Sequence, residues 1–218
     1  MRFTFGTVNL PYAAKLATAG PDEDGPVYMV NFMRYKEFAD YGDQGGPAIS
    51  GREADDIYAP VDVLHKLGCH IGYFGDVTAL GDDEVWDRMA IVRYPTRRSF
   101  MEMQERADFQ ERAVHKEAGM DFTIILAALP LSVPASVPRD AKTVSFIATP
   151  EGQELDLSNH LVARLEVEDL VIGDERRFTM LHIVWGEIDL STLPLGVLAV
   201  QTRTFLDTMP ALMAENLS

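Results

Sequence analysis

The chain of 218 residues carries 34 acidic against 19 basic side chains, a formal charge of −15, and that surplus repels nucleic acid and anionic lipid and favours solubility. Its length allows one large domain or two of roughly 100 residues, each able to bury a core of its own, and nowhere do ~20 apolar residues run on as a membrane span requires. With no signal-type apolar run in MRFTFGTVNLPYAAKLATAG and one cysteine, Cys69, inside the apolar LGCHIGYF, the expectation is a cytoplasmic protein with a buried, inert thiol.

Residues 1–25 read as an extension with one short helix, Asn9 capping it, Pro11 in its first turn and Gly20 just past its end. The β-branched and aromatic VYMVNFMRY at Val27–Tyr35, after the turn PDEDGP, predicts a strand. KEFADYGDQGGPAISG is too polar and broken for a core element and predicts a long surface loop, either a glycine-hinged lid or a plain connection. Ser50 and Glu53 stand at capping-box spacing, so a helix should start there and run to Leu67, broken or kinked at Pro60.

Strands follow at His70–Leu80 and Trp86–Tyr94, and Pro95 ends the second. A long helix from Thr96 or Ser99 to Gly119 is expected to present Phe100, Met103, Ala107, Val114 and Ala118, before a buried-type strand at Asp121–Leu129. Strand, helix, strand, strand, helix, strand is the order of a ferredoxin-like βαββαβ unit, here 26–130, which covers one sheet face with helices and leaves the other in need of a partner.

Prolines at 130, 134 and 138 mark 131–143 as an extended linker. The remaining 144–218 is β-rich, with strands at Val144–Thr149, Leu161–Ile172, Arg177–Trp185 and Val197–Leu206 and a closing helix near Met209–Asn216, and its connections are too short for amphipathic helices. The phrase GDDEVWDRMAIVRY at Gly81–Tyr94 returns as GDERRFTMLHIVWG at Gly173–Gly186, keeping Gly81/Gly173, Asp82/Asp174, Ile91/Ile183 and Val92/Val184 and pairing Trp86 with Phe178. Two readings stand: a coincidence between hairpins, or a degenerate repeat whose open sheet packs on the first to make an α+β barrel, as an internal pseudo-dimer or a homodimer.

The segments VNFMRYK, SGREA and WDRMAIVRYP with the helix after it resemble the uncharacterised family called domain of unknown function 1330, over about residues 26–130. The resemblance implies a place among the dimeric α/β barrels, ferredoxin-like units paired sheet to sheet. It implies no reaction, because relatives in that superfamily range from isomerases, cofactor-free monooxygenases and haem-degrading enzymes to members without known catalysis.

No phosphate loop, nucleophile elbow, zinc spacing or HExxH is present, so neither a metal nor a cofactor is expected. Candidate chemistry rests on polar residues that strand alternation would aim into a barrel. If Val30 and Phe32 pack under the helices, Asn31 points inward, needing a structural partner or a ligand. His70 is the candidate acid or base, or in a third reading a haem ligand; the bland alternative is a surface histidine. Arg93 would anchor a carboxylate or pair with Asp87, and Tyr73 and Trp86 complete the expected substrate-binding set. The functional expectation is a small organic molecule bound between the sheets, acted on by proton transfer or oxygenation. Its alternative is a non-catalytic binding or interaction protein whose second half closes the barrel or builds an interface.

Overall fold

A computed structural model describes residues 2–81, 84–138 and 141–218; Asp82 and Asp83 of the repeated phrase lie outside the described residues. The strands are β1 (Arg2–Phe3), β2 (Gly6–Val8), β3 (Val27–Tyr35), β4 (His70–Leu80), β5 (Arg88–Tyr94), β6 (Met120–Ser132), β7 (Thr143–Thr149), β8 (Leu161–Gly173), β9 (Met180–Trp185) and β10 (Leu198–Asp207). The helices are α1 (Leu10–Thr18), α2 (Gly51–Tyr58), α3 (Val61–Lys66), α4 (Arg97–Glu105), α5 (Ala107–Gly119) and α6 (Met209–Leu217).

The strands lie in the order β1-β2-β8-β6-β3-β5-β4-β10-β7-β9, and β9 pairs back onto β8, so eight of them close an antiparallel barrel. Within it β6-β3-β5-β4 is a ferredoxin-like sheet, and β10-β7-β9-β8 repeats the same order from the second half. The seams between halves are β4 with β10 and β6 with β8. Closure therefore takes place inside one chain and leaves these eight strands no free edge.

The repeated phrases occupy equivalent places, β5 and β9 being the third strand of each half. Met89 and Ile91 on one and Leu181 and Ile183 on the other all enter the same barrel core, and so do Trp86 and Phe178 from the preceding turns. Glu84 and Arg176, which the alignment also pairs, meet as an ion pair at 2.7 Å.

Inside, Phe32, Tyr73, Phe146, Leu165 and their neighbours are fully buried, each such side chain stabilising the fold by about 1.5–3 kcal/mol. α6 seats Met209, Leu212 and Met213 in this core, against Gly72, where an added Cβ would lie 2.5 Å from Met209 Sδ. The Tyr28 hydroxyl lies 2.9 Å from Leu212 O and 2.7 Å from Asn216 Oδ1, with one proton to donate between them. The expected linker is more than a spacer: β6 continues to Ser132, and Val133, Val137 and Ala141 pack on the core.

On the outer face of the first half, α1 to α5 cover the sheet. Asn9 caps α1 and Ser50 and Glu53 form the capping box of α2. Gly51 is required there, since a Cβ would collide with the carbonyls of Gly119 and Lys36 where α2 crosses the end of α5. The expected break at Pro60 separates α2 from α3. The long helix is instead two, because Arg106 is extended (φ −73, ψ 133) and clasps Asp108 through Nε and Nη2, both at 2.8 Å. The extension holds, besides α1, a hairpin of β1 and β2 that adds to β8.

In the second half short connections supply leucines where helices would be. Leu155, Leu157, Leu190 and Leu193 cover Ile147, Val184 and Ala199. His182, aligned with Ala90, is buried on this outer face with Nδ1 unpartnered among the described residues. Burial, with a smaller push from Arg164, lowers its pKa from 6.5 to about 4.

The folded state thus binds fewer protons than the unfolded chain between those values, so stability falls as pH drops from 6.5 to about 4, by about 3 kcal/mol from this group. His182→Phe should flatten that part of the pH profile in urea titrations. Parallel wild-type and variant curves would contradict the assignment.

Candidate functional site

The barrel interior is packed with buried side chains; a cavity with a volume of about 480 Å³ lies outside it, between the first half's sheet and its helices. Its floor is Met29, Asn31 and Met33 of β3, Ala90 and Val92 of β5 and Ile125 of β6; its roof is Tyr58, Leu64, Phe100, Met103, Phe109 and Lys116 from α2 to α5. This size and apolar lining with a few polar groups are those of small-molecule sites.

Alternation along β3 decides which residues reach it. Tyr28, Val30 and Phe32 enter the barrel core, so Met29, Asn31 and Met33 face the helices. The expectation that Asn31 points into the barrel is thereby reversed. It assumed that the all-apolar row packs beneath helices, whereas a barrel filled with side chains is at least as apolar. Asn31 Nδ2 donates to Met29 O at 3.0 Å and Ala90 O at 3.3 Å. Its Oδ1 receives no hydrogen bond among the described residues.

The other expected site residues do not converge. His70 is exposed at the start of β4 and borders neither cavity nor barrel core. Tyr73 is buried inside the barrel, its hydroxyl 2.5 Å from Thr202 Oγ1 and 3.0 Å from Thr204 Oγ1. Trp86 packs edge-on against Phe32, with Nε1 buried and unpartnered among the described residues. Arg93 donates through Nε to Asn216 Oδ1 at 2.8 Å, tying β5 to α6 rather than to Asp87, whose carboxylate accepts from Tyr35 N at 2.7 Å. Only Asn31 of the five borders the cavity.

The 36–51 loop does not border it either. Lys36 N bonds Gly119 O, Asp40 N bonds Ala118 O, and Tyr41 Oη lies 2.8 Å from His115 Nδ1, so the segment is fastened to the end of α5 and is a connection, not a lid.

At the cavity wall sits a charge network that the sequence did not reveal. Arg88, 5% exposed, reaches Asp56 Oδ1 at 2.7 Å, Asp76 Oδ1 at 3.3 Å and Asp55 Oδ2 at 3.4 Å. Arg52 adds a 2.7 Å bond to Asp76, and Tyr35 Oη donates to Asp55 at 2.6 Å. Burial raises the Asp55 pKa against the lowering by Tyr35, Lys116 and Arg88. Asp76 is lowered, because Arg52 and Arg88 outweigh its burial.

Lys116 is the other missed group. It lies on α5 with Nζ 5.1 Å from the Tyr58 ring centre and 5.6 Å from that of Phe5. No carboxylate forms an ion pair with it among the described residues. Burial lowers its pKa, and the field of Asp55 restores part of the shift.

No family model matches the chain, and no curated protein matches it. Two crystal structures of the RPA0582 protein are similar. The methylated form has 26% identity and a TM-score of 0.53, covering 62% of this chain and 100% of its own. The other, of this protein of unknown function from Rhodopseudomonas palustris, has 25% identity and a TM-score of 0.51, covering 61% of this chain and 99% of its own. A mutant chlorite dismutase from Candidatus Nitrospira defluvii in complex with cyanide matches at 10% identity and a TM-score of 0.44, over 95% of this chain and 99% of its own. No described helix is long and apolar enough to cross a membrane.

Removing Arg88 takes the ion-pair partner from the buried Asp55, while Asp76 keeps Arg52 and Asp56 faces water. Arg88→Met should cost about 3–5 kcal/mol in urea denaturation, as for other buried pairs stripped of one partner, and Asp55→Asn in the same background should recover part of it. A loss under about 1 kcal/mol would mean that water already solvates the network.

Proposed function

We propose that the protein binds a small, mainly apolar organic molecule in the cavity between its first-half sheet and its helices. One observation carries this reading: a space of about 480 Å³ with apolar walls, into whose lining Asn31 and Lys116 bring an acceptor oxygen and an ammonium that have no hydrogen-bond or ion-pair partner among the described residues. Both residues are half-buried, so these polar atoms are open to a water or a ligand in the cavity. The resemblance of 26–130 to domain of unknown function 1330 is compatible with this site and adds no reaction to it.

The reading is one of binding. His70 stands outside the cavity, so proton transfer or oxygenation there would have to draw on other groups. The alternative, a non-catalytic protein whose second half closes the barrel, is favoured by the filled interior and by the seams that join the halves. The two are compatible, since the second half closes the barrel whose first-half wall is the cavity floor.

Native mass spectrometry of the purified protein should show a retained organic molecule on the wild type and none on Ala113→Trp, which puts an indole into the cavity from α5. Bare wild-type protein that small apolar compounds also fail to stabilise thermally would overturn the reading.

A further inference from the structure

We propose that this cavity selects molecules carrying a carboxylate on an apolar body, with Lys116 Nζ as the group that receives the carboxylate. The inference rests on the binding reading above and deepens it.

The charges around the cavity decide the class. Asp55, Asp56 and Asp76 are met by Arg88, Arg52 and, at 3.6 Å, Arg203. That cluster is locally balanced and offers Lys116 no free partner. Glu117, the next residue, is exposed at the cavity border, and consecutive side chains on a helix diverge by about 100°. Lys116 Nζ lies over the faces of Tyr58 and Phe5, and Asp55 acts on it through its field without an ion pair among the described residues. Such cation–π contacts are weaker than a charge-assisted bond to a desolvated carboxylate.

A neutral ligand would leave this ammonium as it is, and a cationic one would repel it. An anion would supply the missing partner, and the rings that hold Nζ would also pack the ligand's apolar body. Asn31 complements the arrangement: its donors are used by Met29 O and Ala90 O, so its free oxygen repels the carboxylate end and directs it toward Lys116. The chain's −15 charge opposes anions at long range, which leaves a local cation as the source of any anion affinity.

Calorimetry with octanoate and octanol separates the two levels of inference. On the wild type, octanoate should bind at least tenfold more tightly than octanol. Lys116→Met should remove that preference while octanol affinity stays within about twofold, an expectation based on retained apolar lining. Lys116→Gln serves as the second variant, and unchanged thermal unfolding confirms that each is folded. Equal binding of both probes, or an octanoate preference that survives in both variants, overturns the role of Lys116 and leaves the binding cavity standing. No binding of either probe to the wild type counts against both.

Discussion

The structure depends on the closure of one antiparallel sheet by two seams, β4 with β10 and β6 with β8. A sheet with helices on one face only must bury the other, and the usual solution is a second sheet. Here the second sheet is further along the same chain, in the same strand order and without helices. Once the barrel is closed at eight strands its interior is narrow enough for side chains to fill, and Tyr28, Phe32, Tyr73 and Phe146 do so. The cavity lies on the outer face of the barrel wall.

The two outer faces then differ for a simple reason. Helices stand about 10 Å off a sheet and leave gaps wherever their side chains do not meet. Loops lie flat. In the second half Leu157 and Leu190 seal the face directly over Ile147 and Ala199, whereas in the first half α2, α4 and α5 arch over Asn31 and Ala90 and leave a cavity. Arg88 fixes the edge of that arch by joining β5 to α2 through Asp55 and Asp56. The same network neutralises the carboxylates that would otherwise compete for Lys116.

Much of this frame was legible in the chain. The capping box at Ser50, the break at Pro60, the strands around Val27–Tyr35 and Met180–Trp185, and the repeated phrase all follow from local rules, and local rules decide elements. Burial was less legible. Strand alternation identifies two faces of β3 but cannot say which one meets helices when both are apolar, and the side on which Asn31 lies follows only from the closed barrel. Arg88 sits in a row of otherwise unremarkable strand residues, and its carboxylates come from α2 and β4, far away in sequence. Nothing local marks such a pairing.

Lys116 shows how one backbone residue can hide a site. A single helix from Thr96 to Gly119 would continue the apolar stripe of Phe100 and Met103 through Ala107 and Val114, putting Lys116 among the solvated charges of ERAVHKEA. Arg106 is extended, however, and α5 restarts in a new phase. Ala107 and Val114 then turn outward, and the inward stripe becomes Phe109, Ala113 and Lys116, all of which border the cavity. That i, i+4, i+7 spacing is the ordinary signature of a buried helix face. A lysine in the last place of such a stripe carries its charge into the space beneath the helix, and its position in the cavity wall follows from the restart at Arg106.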